Sequence, residues 1–124
     1  DADVLLHAIM DALLGAAGLP DIGQQFPPTD PAYEYADSAV LLSRVGQMVR
    51  AAGFGTIVNI DAIIMAERPK MNPHIPAMRK AVADVLHIKI DQVNIKATTT
   101  ERLGFVGREE GIAASAVCLL AGND

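Results

Sequence analysis

The sequence predicts an α+β fold. Apolar residues recur at helical spacing in three segments, two further runs are rich in β-branched residues, and the second of these runs ends in consecutive hydroxyl residues. Residues 3–17 read as the first helix, because Val4, Leu5, Ile9, Leu13 and Ala16 fall on one face, with Asp1 or Asp3 as cap and Gly18 as stop. Residues 19–36 are rich in Pro, Asp and Gly and show no periodicity, so a long ordered loop is expected. Asp37-Ser38 opens a second helix running to Ala52, where Gly53 stops it.

Thr56 to Met65 reads as a strand through Val58, Ile60, Ile63 and Ile64. Asn72 is a good N-cap and Pro73 suits a first helical position, so a third helix is expected there, burying Ile75, Met78, Val82, Val85 and Leu86. Asp91 to Thr98 reads as a second strand. Gly111 to Leu120 is ambiguous: its alanines argue helix, while Ile112 and Val117 permit strand.

Composition narrows the function. A chain of 124 residues fits one domain with one core. It is 51% hydrophobic but only 4% aromatic, so Ala, Val, Ile, Leu and Met must build that core. A net charge of −5 offers no broad basic surface to nucleic acid. An anionic ligand would have to be met by local donors and metal. The single Cys118 excludes an internal disulfide, and its apolar neighbours argue a buried structural thiol. No apolar run is long enough to span a bilayer. A cytoplasmic protein is expected, or a plastid one if the source is eukaryotic.

The richest stretch is Ile95-Lys96-Ala97-Thr98-Thr99-Thr100-Glu101-Arg102-Leu103-Gly104-Phe105. Threonine hydroxyls and backbone N–H groups at a strand end can converge on phosphate oxygens, and the Glu101 carboxylate is a suitable ligand for a hard divalent cation. For the threonines alone, a polar turn after an edge strand is the better reading. His7 and Asp11 stand four apart on one helical face, which suits either a metal ligand with its orienting carboxylate or a histidine at the core edge.

This stretch resembles a signature of the 2-C-methyl-D-erythritol 2,4-cyclodiphosphate synthase family of the non-mevalonate isoprenoid pathway. So do His7–Ala16, Asp21-Ile22-Gly23 with Phe26-Pro27-Pro28-Thr29-Asp30, and Arg68-Pro69-Lys70-Met71-Asn72-Pro73-His74-Ile75, in the family's order along the chain. The resemblance implies that the last segment is a strand, that a mixed sheet carries helices on one face, and that three copies bring their sheets together in a homotrimer. It places His7 on a zinc ligand. The other two ligands belong to an N-terminal strand segment, with an Asp-x-His pair and a His-Ser dipeptide, that precedes Asp1 in the family. Residues 1–124 are therefore expected to be a single domain lacking that segment.

The resemblance further implies that Asp21, Ile22, Gly23, Phe26, Pro27, Pro28, Thr29 and Asp30 meet the substrate, with Pro28 standing in place of an acid. Ala66, Glu67, Arg68, Pro69, Lys70, Met71 and Asn72 would form a cytidine pocket, with Asn72 in place of an apolar residue. Thr98, Thr99, Thr100 and Glu101 would meet phosphate, with Thr99 acting on the transferring phosphoryl and Glu101 holding magnesium or manganese. Phe105 and Arg108 would lie near substrate and the trimer axis, where an isoprenoid diphosphate binds in some members. Ser115 replaces an acid there.

The implied reaction is cyclisation of 4-diphosphocytidyl-2-C-methyl-D-erythritol 2-phosphate with release of CMP, by a phosphorus–oxygen lyase using zinc and magnesium. Nucleic acid and membrane are not expected as partners. Two rivals are a non-catalytic trimeric binder of isoprenoid diphosphate or cytidine nucleotide, and a metal-dependent phosphatase.

Overall fold

The computed structural model describes residues 2–27 and 37–123. Helix α1 (Ala2–Ala16) buries Leu5, Ile9, Met10, Leu13 and Leu14 completely. It ends where Gly18 takes φ 73° and Leu19 N–H returns to the Leu14 carbonyl at 2.8 Å, the left-handed turn that glycine enters without a Cβ penalty. The long loop expected after it contains one helical turn, α2 (Ile22–Gln25). Asp21 caps this turn by accepting from Gln24 N–H at 3.0 Å, a local bond that periodicity does not register.

Helix α3 (Ser38–Ala51) starts as expected, with Asp37 accepting from Ala39 N–H at 2.7 Å. Strand β1 (Thr56–Met65) has the bounds read from the sequence. The third expected helix begins differently. Asn72 does not cap it; Asn72–His74 form a 3-10 turn, and α4 (Ile75–Leu86) follows. A second 3-10 turn, Ile90–Gln92, takes the start of the expected strand, so β2 runs Val93–Thr98. Gln92 ties that turn to β1 by donating to the Ile57 carbonyl at 2.9 Å. Arg79 of α4 holds it from the other side, donating to the Val93 and Ile90 carbonyls at 2.7 and 3.0 Å. A short helix α5 (Gly104–Gly107) precedes β3 (Ala113–Ala121), so the ambiguous last segment is a strand.

The strands form a mixed sheet in the order β2-β1-β3, parallel between β1 and β2 and antiparallel between β1 and β3. Side chains alternate across it. Ile60, Ala62, Ile64, Val93 and Ile95 point to the helices and are buried, and Ala114, Ala116, Cys118 and Leu120 pack against the same core. The opposite face carries Asp61, Ile63, Asn94, Lys96, Ser115, Val117 and Leu119. On it Asp61 accepts from Lys96 Nζ at 3.1 Å and Asn94 Nδ2 at 3.3 Å. Val117 and Leu119 remain 65% and 61% exposed there. Helices on one face match the sequence expectation, and among the described residues no helix covers the other.

Candidate active site

The parallel register pairs Met65 with Thr98 at the carboxyl ends of β1 and β2. Both strands release their chains at the same edge, the usual place for a ligand at a parallel pair. Ala66 N–H donates to the Thr98 carbonyl at 3.0 Å, extending the pairing one step further. Beyond it opens a cavity of about 320 Å³ lined by Ala66, Glu67, Lys70, Met71, Asn72, Ala97, Thr98 and Thr99. Two segments some thirty residues apart in sequence, the 66–72 loop and the threonine run, thus form one cleft. Met71 is buried and anchors the loop, while Lys70 and Asn72 stay exposed. Lys70 supplies a cation to the cleft wall.

The three hydroxyls divide their roles. Thr98 donates to the Thr99 carbonyl at 3.1 Å, a local bond. Thr100 donates to the Leu103 carbonyl at 2.7 Å and closes the turn. Thr99 lines the cleft and accepts from Glu101 N–H at 3.3 Å. On an extended segment Thr99 and Glu101, two apart, would share one face. The backbone instead turns: Glu101 and Arg102 take φ of 53° and 65°. Glu101 lies beyond the cavity wall, exposed, and its carboxylate has no partner among the described residues.

Two side chains tie the 66–72 loop to the segment beyond the threonines. Glu67 accepts from Thr100 N–H at 3.3 Å, and Arg68 pairs with Glu109 at 3.3 Å. Glu67 belonged to the expected cytidine pocket, but the strut it makes joins residues 33 apart, which no local pattern reveals. Arg108 pairs with Glu110 at 3.0 Å, and Phe105 is 51% exposed.

His7, Asp11 and Asp21 do not line this cavity. His7 is exposed on α1. Asp11 does not orient it through any bond among the described residues; its carboxylate accepts from Ile22 N–H at 3.0 Å and holds the Asp21-Ile22-Gly23 turn against α1. Gly23 lies within that helical turn, where a Cβ would meet only Asp21 Oδ1 at 3.5 Å, so close packing does not require glycine there. Phe26 and Pro27 follow at the end of the turn. Pro28, Thr29 and Asp30 lie outside the described residues, as does Asp1.

Zinc sites take four ligands in a tetrahedron. Among the described residues no three of His, Cys, Asp and Glu come together to hold a metal, so His7 alone does not make a zinc site. Magnesium asks less of the protein, because one carboxylate plus substrate phosphates and water can hold it. The exposed Glu101, next to a hydroxyl-lined cleft, fits that demand. Cys118 is half-buried and its thiol reaches the Ala12 carbonyl at 3.3 Å; burial raises its pKa, as suits a structural thiol. No helix is long and apolar enough to cross a membrane, among the described residues.

The sequence model of the YgbB family matches residues 1–121. A 2-C-methyl-D-erythritol 2,4-cyclodiphosphate synthase from Porphyromonas gingivalis is 59% identical over 97% of this chain and 74% of its own length. The synthase of the same name from Nostoc is 58% identical over 100% of this chain and 74% of its own. Among solved structures, the bifunctional IspDF from Campylobacter jejuni superposes with a TM-score of 0.92 at 44% identity, covering 98% of this chain and 32% of that one. A CDP complex of IspF from Plasmodium falciparum superposes with a TM-score of 0.85 at 30% identity, covering 98% and 72%. With the fold and most of its length shared, this chain belongs to the YgbB family, alongside the 2-C-methyl-D-erythritol 2,4-cyclodiphosphate synthases.

Proposed function

We propose that this chain converts 4-diphosphocytidyl-2-C-methyl-D-erythritol 2-phosphate to 2-C-methyl-D-erythritol 2,4-cyclodiphosphate and CMP, acting as a phosphorus–oxygen lyase in isoprenoid biosynthesis. The observation that carries the reading is the cleft where the 66–72 loop meets Thr98 and Thr99, in a chain 58–59% identical to synthases of that name. The Plasmodium falciparum neighbour's CDP complex supports a cytidine nucleotide as the ligand class. The non-catalytic binder is the weaker rival, because relatives this similar carry the synthase name.

In the reaction an oxygen of the 2-phosphate attacks the β-phosphorus. The bond from that phosphorus to the bridging oxygen breaks, and CMP leaves with that oxygen. No protein nucleophile is needed, so catalysis is positioning plus electrostatics. Prolines 69 and 73 stiffen the 66–72 loop, whose backbone donors and acceptors read the pyrimidine edge. Lys70 offsets phosphate charge. The Thr99 hydroxyl donates to the transferring phosphoryl. Glu101 would hold a magnesium ion, whose charge would screen the two anionic groups. His7 would serve as one ligand of a zinc ion.

The uncovered sheet face carries exposed Val117 and Leu119, and a closed trimer would cover it symmetrically. Each site would then combine the His7 and Asp21 region of one subunit with the cleft of its neighbour. Arg108 is the candidate contact for an isoprenoid diphosphate at the axis. CMP release by Thr99→Val and Glu101→Gln in the complete protein tests the assignment. Removing one transition-state donor slows such reactions by about 10²–10³-fold. Near-wild-type rates in both variants would leave the turn with a structural role only.

A further inference from the structure

The threonine-rich turn is conformationally costly and has to be held. Glu101 and Arg102, at φ 53° and 65°, are consecutive left-handed residues, and neither is of the Gly, Asn or Asp type that enters this region readily. Such a pair persists only where its surroundings over-determine it. The bonds within the turn, from Glu101 N–H to Thr99 Oγ1 and from the Thr100 hydroxyl to the Leu103 carbonyl, close it locally.

Two contacts come from outside the turn. From the 66–72 loop, the Glu67 carboxylate accepts from Thr100 N–H at 3.3 Å. From α5, Gly107 lies flat against the Arg102 backbone. A Cβ at Gly107 would stand 2.6 Å from both the Cα and the carbonyl oxygen of Arg102, and nearer still to its carbonyl carbon. The glycines with positive φ are Gly18, Gly53 and Gly104, so Gly107 is required for space and not for its own dihedral angle. The atoms it would strike are backbone and cannot swing aside as a side chain would.

We propose that Gly107 and Glu67 are positioning residues that together brace the Glu101–Arg102 turn, so that Thr99 and Glu101 are presented together to the diphosphate of a cytidine nucleotide. This rests on the reading of Thr99 and Glu101 given above. Neither bracing residue needs to touch the reacting atoms. Gly107→Ala displaces the Arg102 backbone, and Glu67→Leu removes the acceptor for Thr100 N–H. Glu67→Gln keeps an acceptor oxygen of the same reach.

The test is calorimetric titration of the complete protein with CDP, in magnesium-free buffer and with saturating magnesium. The quantity read is the gain in CDP affinity that magnesium confers. Gly107→Ala and Glu67→Leu are each expected to reduce that gain about tenfold or more while keeping the wild-type circular dichroism spectrum. Glu67→Gln is expected to recover most of what Glu67→Leu loses. A merely structural role would lower the melting temperature and leave the gain intact, and that result in both variants would overturn the proposal. Should Gly107→Ala fail to fold, the Glu67→Leu and Glu67→Gln pair decides, and equal loss in both would refute the strut. Glu101→Gln is run beside them. If it abolishes the gain while the bracing variants do not, the bracing proposal alone fails; if it leaves the gain intact, the reading of Glu101 fails and the proposal with it.

Discussion

Leu119→Lys tests whether the uncovered sheet face is an interface. Leu119 is 61% exposed in the protomer, on the face away from the helices, and its cross-strand neighbour is Asn59. Burying a whole leucine side chain is worth about 1.5–3 kcal/mol, so covering the exposed part is worth about 1–2 kcal/mol per copy. Over three copies this is roughly 3–6 kcal/mol, before any cost of desolvating three ammonium groups, and at about 1.4 kcal/mol per tenfold it weakens trimer assembly by roughly 10²- to 10⁴-fold. The isolated protomer loses little, because exposed substitutions away from special features usually shift stability by no more than about 0.5 kcal/mol. Sedimentation of the complete protein at micromolar concentration should show wild type as trimer and the variant shifted toward monomer, with similar circular dichroism. A variant as fully trimeric as wild type, or a wild type that is only monomeric, would refute the reasoning.

Three further outcomes are expected. Asp11→Ala removes the acceptor for Ile22 N–H at 3.0 Å; it should raise KM for the substrate while costing about 1 kcal/mol or less in thermal stability, since the bond is exposed. His7→Ala in the complete protein should abolish stoichiometric zinc by elemental analysis, and full occupancy would remove His7 from the ligand set. Cys118 should react slowly with a thiol reagent at neutral pH, because burial raises its pKa. Its folded-state pKa lies above the unfolded value, so its contribution to stability is present below the ordinary thiol range. That contribution is lost as pH rises through the folded value, and Cys118→Ala should flatten the alkaline limb of the stability profile.

The parts of the fold legible in the sequence are those that local chemistry decides. Thr56–Met65 could be read from its branched residues, and Asp37 from its place before a helical pattern. Asn72 misled because its propensity to cap was real, but the chain enters α4 through a 3-10 turn instead. The cleft residues on either side were named from motif resemblance, yet their meeting depends on the parallel pairing of Met65 with Thr98, which is set by packing across the sheet. The left-handed turn at Glu101 and Arg102 was not legible, because neither residue type signals it; the space at Gly107 and the reach of Glu67 hold it, and both are tertiary facts. Asp11 was noticed as a partner for His7 and proved to be the tether of the next turn, a bond across 11 residues.

The measurement that bears most directly on the function is incubation of the complete protein with 4-diphosphocytidyl-2-C-methyl-D-erythritol 2-phosphate and magnesium, following phosphorus by NMR. Stoichiometric appearance of CMP and the cyclic diphosphate, with loss of both in Glu101→Gln, is the expected result. Binding of the substrate or of CDP with no CMP formed would contradict the account and leave a nucleotide-binding protein in place of a synthase.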